Sequence, residues 1–266
     1  MSTATIIPGS YVEDGVEYPE DDGLPMADNS VQFDWIQLLH QNLASLFAGN
    51  PSVVVIGNML WYPVQGDNKT RRAPDVMVAF GRPKMDRGSY LQWRETGTAP
   101  QVAFEIMSPS NTAAEMDEKL AFYDRYGVEE YYVYYPETVE FSIWLREGGR
   151  LQLQHIGPGQ IFVSPRMQIR FENHPAGLNV YRPDGKLFTT RVEADQELAV
   201  SEKGRLAAER AQIAAERARV AAERARVAAE RARELDRMNL NAEIEALRQQ
   251  LRQAGLEPSK PDFPST

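Results

Sequence analysis

Two short stretches of the chain, residues 75–80 and residues 102–107, alternate between two sets of side chains. A period of two predicts β-strands, because successive side chains of a strand point to opposite faces of its sheet. Each predicted strand carries one acidic residue, Asp75 in the first and Glu105 in the second. Two carboxylates on adjacent buried strands raise the free energy of the fold unless a cation lies between them. A divalent metal ion is one candidate for that cation.

The pattern predicts a mixture of helices and strands in the first two thirds of the chain. Apolar residues recur at helical spacing over residues 31–48, and Ser30 is expected to be the N-cap of this helix. A capping box of Thr112 and Glu115 predicts a second helix, which lies between two predicted strands. Such a crossover favours a parallel pair of strands. The predicted fold class is therefore α/β with a mixed sheet, and further strands are expected over residues 53–56, 59–64, 131–135, 141–145, 151–154 and 166–171.

From about Leu206 onward the chain repeats a seven-residue pattern rich in Ala, Glu and Arg. Alanines recur at alternating intervals of four and three residues, which is the spacing of a coiled-coil seam. Larger residues continue the seam at Leu240, Ile244, Leu247 and Leu251. We therefore predict a coiled-coil helix through which the protein forms a homo-oligomer. A solvated single helix is the alternative.

These patterns divide the chain into four predicted segments. The N-terminal segment holds seven acidic residues and no Lys or Arg, so we expect it to be extended or partly disordered. The segments are an acidic arm over residues 1–29, a domain over residues 30–190, a heptad-repeat helix over residues 201–254 and a flexible tail over residues 255–266.

The net charge of −9 is unevenly distributed along the chain. Residues 1–200 hold 16 Lys and Arg against 27 Asp and Glu, and such an acidic body argues against tight non-specific binding to nucleic acid. The exception is a basic window over residues 69–94, with seven basic residues against two acidic ones. This window contains Tyr90 and Trp93, and we expect it to hold a nucleic-acid backbone and to stack a base.

Composition also excludes some classes of site. The chain has no cysteine, which excludes disulfides, thiolate zinc sites and cysteine nucleophiles. It has no apolar run as long as a membrane span, and its N-terminus lacks the pattern of a signal peptide. We therefore expect a cytoplasmic protein that does not enter the membrane.

Short motifs around the two acidic residues carry a resemblance to a known family. The motifs are Ala73-Pro74-Asp75, Phe104-Glu105-Ile106-Met107-Ser108-Pro109 and the segment from Lys119 to Tyr132. Together they resemble the Uma-two family of nucleases over about residues 30–175. The resemblance implies a restriction-endonuclease-like PD-(D/E)XK fold and a DNA endonuclease that depends on Mg²⁺ or Mn²⁺.

The resemblance also implies roles for individual residues. Asp75, Glu105 and Lys119 are the implied catalytic residues. The two carboxylates would bind the metal together with the main-chain carbonyl of Ile106. The implied substrate-binding residues are Arg71, Arg72, Ser108 and Tyr123, and the implied supporting residues are Glu115 and Gln32.

Two positions depart from the pattern of the family. Met107 stands where the wider fold has a lysine two residues after the glutamate. Lys119 would therefore supply the amino group from the following helix. Gln32 stands where the family often has a histidine, and Asp28 is the nearest candidate for an acidic residue that precedes this helix in many members.

A second interpretation is a catalytically degenerate nuclease fold that serves as an interaction module and oligomerises through its coiled coil. Met107 and Gln32 favour this interpretation. By spacing alone, Asp75 and Glu105 could be ordinary carboxylates at strand ends. The capping box alone accounts for Glu115, and without the resemblance Lys119 would be taken as a solvated helix residue.

Overall fold

The structure is a computed structural model that describes residues 9–23, 25–156 and 159–255. The chain divides into two units, and the boundary along the sequence lies between Asp195 and Gln196. None of the described helices combines the length and the apolar character needed to cross a membrane. A cytoplasmic location stays a prediction of the sequence, and most of the predicted flexible tail lies outside the described residues.

Thirteen strands and three helices are found in the described residues. In chain order they are β1 (Ser10–Glu13), β2 (Val16–Pro19), α1 (Ser30–Leu46), β3 (Val53–Gly57), β4 (Trp61–Tyr62), β5 (Val76–Phe80), β6 (Tyr90–Leu91), β7 (Val102–Ile106), α2 (Ala113–Tyr126), β8 (Glu130–Tyr135), β9 (Glu140–Glu147), β10 (Arg150–Gln154), β11 (Ile161–Val163), β12 (Arg170–His174), β13 (Gly177–Tyr181) and α3 (Arg191–Gln253).

A six-stranded mixed sheet forms the centre of the first unit, in the order β10-β9-β8-β7-β5-β3. β7 and β8 run parallel, and the other neighbours in this sheet are antiparallel. The connection from β7 to β8 runs through α2, which is the predicted crossover. The predicted α/β fold class with a mixed sheet is therefore confirmed.

Each face of this sheet is covered by one helix and one apolar cluster. The cluster on the α1 side includes Val78 and Phe104, and the cluster on the α2 side includes Met77 and Ala103. Neighbouring residues of β5 and β7 thus enter different clusters, and the predicted alternation is confirmed. Because both faces of the sheet are covered, a polar side chain on β5 or β7 is buried unless it lies at the edge of a cluster. This determines the burial of the site.

The two helices that flank the sheet begin with side-chain caps. The capping box of α2 is present: the Thr112 N–H donates to Glu115 over 2.8 Å, and the Glu115 N–H donates to the Thr112 hydroxyl. The N-cap of α1 is Asn29, whose side chain accepts from the Gln32 N–H at 2.8 Å. The prediction of Ser30 as N-cap was therefore wrong by one residue, since both residue types cap well and the local pattern does not choose between them.

The acidic arm is partly folded into paired strands, whereas the sequence predicted an extended or partly disordered segment. β1 and β2 pair as an antiparallel hairpin. Tyr18 of this hairpin is buried against Leu60, Tyr62 and Leu91. The count of acidic residues hid this contact, because a single buried aromatic residue supplies much of the apolar area that fixes the hairpin.

Two other predicted strands differ in extent. The strand expected over residues 59–64 is only the two-residue β4, which pairs in parallel with β6. The strand expected over residues 166–171 begins at Arg170. A turn precedes it, in which the Gln168 N–H donates to the Ser164 carbonyl and Gln168 has a φ of 58°.

The second unit consists of most of α3, which is 63 residues long and has no buried residue. Exposed ion pairs at a spacing of three residues run along it, including Glu223–Arg226 at 2.9 Å and Glu245–Arg248 at 2.7 Å. The helix begins ten residues before the predicted start. Pairing into a coiled coil stays a prediction, because only one chain is described.

Candidate active site

Glu105 lies on β7 and is the most deeply buried carboxylate of the site, with no exposed surface. Its Oε2 accepts from the Lys119 amino group at 2.7 Å, and its Oε1 accepts from the Tyr123 hydroxyl. Lys119 and Tyr123 are four residues apart on α2, so their side chains lie on the same face of that helix. The helix therefore holds both oxygens of the Glu105 carboxylate.

The environment of Glu105 also fixes the protonation of its two partners. Burial opposes the charge of Lys119, but Glu105 and Asp75 together hold its pKa above its usual value. Burial, followed by the charge of Glu105, raises the pKa of Tyr123 well above its usual range. Both groups are therefore hydrogen-bond donors at neutral pH.

Asp75 directly precedes β5 and is the second carboxylate of the site. Its Oδ2 accepts from the main-chain N–H of Ile106 at 2.6 Å. Burial raises its pKa well above the usual range, and the nearby charge of Glu105 raises it further. Asp75 is thus brought beside Glu105 by the antiparallel pairing of β5 with β7, as the sequence predicted.

The start of α1 reaches the end of β7 through hydrogen bonds. The Gln32 side-chain amide donates to the Ile106 carbonyl at 2.7 Å, and its oxygen accepts from the Asp28 N–H at 2.7 Å. The Asp28 carboxylate accepts from the hydroxyls of Ser108 and Ser110, and these bonds lower its pKa. Gln32 therefore supports the carbonyl that was predicted as a metal ligand, and Asp28 joins the site.

These groups border an open cleft with a volume of about 780 Å³. Asp28, Gln32, Asp75 and Lys119 line it, whereas Glu105 lies behind Lys119 and does not. The remaining polar lining is mostly charged and comprises Asp22, Asn58, Lys69, Arg71, Arg72, Asn111, Glu115 and Glu118. The acidic groups therefore share one cleft with Lys69, Arg71 and Arg72, three side chains that form the basic wall of the cleft.

Two predicted substrate-binding residues do not reach this cleft. Tyr123 has no exposed surface, and its hydroxyl is engaged by Glu105. Ser108 is 4% exposed, and its hydroxyl donates to Asp28. Because neither side chain borders the cleft, their contacts place them behind the carboxylates rather than against a substrate. Arg71 and Arg72, by contrast, line the cleft as predicted substrate-binding residues should.

Most basic residues of the window make contacts within the fold, whereas the sequence predicted that the window holds a nucleic-acid backbone. Arg82 and Arg87 pair with the buried carboxylate of Glu95 at 3.2 and 2.6 Å. The Lys84 amino group donates to the Phe47 and Ala48 carbonyls at the end of α1. Those contacts lie outside the cleft. The composition of the basic window therefore overstated the positive charge of the cleft.

The predicted stacking residues are also engaged elsewhere. Tyr90 is buried, and its hydroxyl donates to the Thr98 carbonyl at 2.9 Å. The Trp93 indole N–H donates to Glu13 at 2.7 Å, and its ring lies against Tyr18. Neither ring lines the cleft. The fully buried Tyr90 cannot stack a base, whereas stacking by Trp93 stays a prediction.

The donor set fits a divalent cation by its chemistry. Asp28, Asp75 and Glu105 bring three carboxylates near one amino group, that of Lys119, so negative charge is in excess. Mg²⁺ and Mn²⁺ prefer such hard oxygen donors, and Mg²⁺ usually takes one or two carboxylates with water and substrate. Asp75 Oδ2 and the two Glu105 oxygens each accept one described hydrogen bond and keep a second lone pair, whereas Asp28 Oδ2 accepts from two hydroxyls. No group of three or more His, Asp or Glu side chains suited to a metal was found in the described residues.

Sequence reasoning left several charged residues of the cleft without a role, among them Asp28 and Glu118. Asp28 was recognised only as the nearest acidic residue before α1. Glu118, whose carboxylate pairs with Arg72 at 3.0 Å, was not singled out at all. Its position next to Lys119 in the sequence was the available signal, but adjacent residues of a helix point in different directions, which concealed the contact.

The mixed sheet carries the acidic residues of the site on two neighbouring strands, with Asp75 directly before β5 and Glu105 on β7. Residues 16–180 match the model of the Uma2 family, described as "Putative restriction endonuclease". This match spans more than half of the chain, and the chain belongs to the Uma2 family. The resemblance stated from the motifs is therefore confirmed. Restriction-endonuclease-like families generally use divalent metal ions.

The chain is similar to several solved structures. One of them is a crystal structure titled as a "putative nuclease belonging to DUF820" from Anabaena variabilis ATCC 29413. The two chains are 13% identical, with a TM-score of 0.38, and the likeness covers 60% of this chain and 84% of that chain. No match was found among curated proteins.

Proposed function

We propose that the protein is a metal-dependent endonuclease that hydrolyses phosphodiester bonds of DNA. The observation that carries this proposal is the arrangement of Asp75, Glu105 and Lys119 at a cleft whose wall holds Arg71 and Arg72. Carboxylates can bind a divalent ion, and arginines can bind the phosphates on either side of the cleaved bond. Membership of a nuclease family agrees with this chemistry.

A divalent ion held by Asp75, Glu105 and the Ile106 carbonyl would supply Lewis acidity and a more acidic bound water. The Lys119 amino group remains charged beside Glu105, so it stabilises negative charge that develops on the phosphate instead of accepting a proton. Gln32 orients the Ile106 carbonyl from the start of α1. Helix α1 and strand β7 are thus held together at the reacting centre.

The basic wall supplies the contacts to the nucleic-acid backbone. Arg72 pairs with Glu118 in an exposed position, where ion pairs contribute only about 0–1 kcal/mol. A phosphate group can therefore replace Glu118 at little cost. Arg71 bonds to the Asn68 carbonyl at 2.9 Å, which directs its guanidinium along the same wall.

Replacing Arg71 and Arg72 together by glutamine is expected to weaken binding to duplex DNA and to lower the slope of log K against log salt by about 1 to 2. Fluorescence anisotropy with labelled duplex at several salt concentrations measures both quantities. Lys84→Gln is the matched control, because Lys84 belongs to the same basic window but contacts the end of α1. Equal slopes for the wild type, the double variant and the control would contradict the proposal that Arg71 and Arg72 bind phosphates.

Cleavage itself is tested with plasmid, single-stranded DNA and RNA in the presence of Mg²⁺ or Mn²⁺. The proposal expects cleavage of DNA that a chelator stops. Absence of cleavage for every substrate and ion would refute the proposed function and favour the interaction module. Cleavage of RNA alone would agree with the proposed mechanism but contradict the proposal that DNA is the substrate.

We further propose that α3 joins two or more copies of the chain. Its second half exposes a stripe of large apolar side chains, among them Leu240, Ile244, Leu247 and Leu251. Such a stripe at heptad spacing is buried when helices pair.

Truncation after Ala199 is expected to give a monomer in light scattering, with the thermal midpoint of the first unit unchanged. The matched control is the full chain with Ile244→Asp and Leu247→Asp, which keeps the helix length but removes the apolar stripe. It should also be monomeric. A truncated chain that keeps the oligomeric state of the full chain would exclude this role of α3.

A further inference from the structure

Lys119 and Tyr123 both donate a hydrogen bond to Glu105, but they differ in their exposure to the cleft. Lys119 lines the cleft, and its side chain is 24% exposed. Tyr123 has no exposed surface and lies away from the cleft. One oxygen of Glu105 is therefore bound by a group that a substrate can reach, and the other by a group that no substrate touches.

We propose that Tyr123 is a positioning residue, which fixes the orientation of the Glu105 carboxylate so that it can bind the divalent ion while Lys119 turns towards the phosphate. This inference rests on the proposed function. It differs from a role in substrate binding, because the Tyr123 hydroxyl acts only through Glu105.

The packing around Tyr123 leaves its ring little freedom. Its ring is nearly parallel to that of Trp61, at 8° and with 6.3 Å between the centroids. The ring of Phe122 is nearly perpendicular to it, with 5.7 Å between the centroids, and the centroid of the Tyr131 ring on β8 lies 4.9 Å away. Trp61 is anchored in turn, since its indole N–H donates to Gln92 at 3.0 Å. The Tyr123 hydroxyl is thus aimed at Glu105 by rigid neighbours.

A flexible donor alone would not hold the carboxylate. Lysine has four rotatable bonds, and Lys119 interacts with Asp75 as well as Glu105. When a phosphate enters the cleft, the amino group gains another acceptor. Groups that orient metal ligands from behind typically change metal affinity 10- to 100-fold when they are removed. Tyr123 has the position and the rigidity for this task.

The test compares Tyr123→Phe with Tyr131→Phe, using Mn²⁺ alone and titration calorimetry on the full-length protein. Both substitutions remove one buried phenol oxygen from the same aromatic cluster. The Tyr131 hydroxyl has no hydrogen-bond partner among the described residues, so its loss should not disturb Glu105. We expect Tyr123→Phe to weaken Mn²⁺ binding by about 10- to 100-fold. Tyr131→Phe should stay within about twofold of the wild type, and both variants should melt cooperatively.

Each outcome identifies which statement fails. A wild-type protein that binds no Mn²⁺ would overturn the proposed function itself. Wild-type affinity for Mn²⁺ in Tyr123→Phe would overturn only the positioning role. Equal weakening of Mn²⁺ binding in both variants would also overturn it, because it would indicate a loss of packing. If Tyr123→Phe does not fold, Trp61→Phe takes its place, because it keeps the hydroxyl but removes the large stacked ring. Unchanged Mn²⁺ affinity in that folded variant would also overturn the inference.

Discussion

Asp75→Asn is expected to reduce DNA cleavage more than about 100-fold while it stabilises the metal-free protein. The asparagine oxygen can still accept the Ile106 N–H, so the local hydrogen bond persists. Its side chain is neutral, which removes a buried charge that lies beside Glu105. We expect a gain in the free energy of unfolding on the order of 1 kcal/mol, or about 2–4 °C in the melting temperature.

The effect of Mn²⁺ on melting distinguishes this explanation from a general disturbance. An ion that binds only the folded state stabilises the wild type in proportion to its occupancy. Asp75→Asn should show little of this stabilisation. The control is Asp86→Asn, because Asp86 is an exposed aspartate of the same basic window and should change neither cleavage nor melting. An Asp75→Asn protein that melts below the wild type without metal would show that Asp75 is structural.

Lys119→Met is expected to lower the free energy of unfolding by about 3 kcal/mol, because it leaves the fully buried Glu105 without its cation. Cleavage should also be lost, since the charge that faces the phosphate is removed. Chemical denaturation measures the first effect and a plasmid assay the second. Lys69→Met is the matched control, since Lys69 is exposed in the same cleft and its loss should change stability by less than about 0.5 kcal/mol.

The double variant Glu105→Gln with Lys119→Met separates charge from packing. Neutralising Glu105 removes the buried charge that Lys119→Met leaves behind, so most of the lost stability should return. Cleavage should remain absent, because both groups of the site are gone. A double variant as unstable as Lys119→Met alone would mean that the lysine stabilises the fold by packing rather than by charge.

Local patterns predicted the strands and the helix that carry the site. Alternation in residues 75–80 and 102–107 predicted a strand for Asp75 and another for Glu105, because both faces of those strands are covered and each position has one environment. The capping box placed the start of α2, and the helical period then put Lys119 and Tyr123 on one face. These inferences need only contacts that are close in the sequence.

Contacts between distant residues were the ones that sequence could not supply. Whether a surface arginine faces a phosphate or a carboxylate depends on partners such as Glu95 and Glu118, which no period of the sequence reveals. Tyr123 was predicted to bind substrate for the same reason. Its motif does not show from which side its hydroxyl approaches Glu105. The burial of Tyr18 was missed because residues around it are acidic.

The alternating environment of β7 also protects the chain against mispairing. A shift of one residue in its pairing would exchange its two faces and move Glu105 into the apolar cluster on the α1 side, away from Lys119. It would at the same time carry Phe104 to the α2 side of the sheet, where Lys119 would lose its carboxylate partner. The misaligned sheet would therefore bury an uncompensated charge, and Glu105 acts as a marker of correct strand register before any metal or nucleic acid is bound.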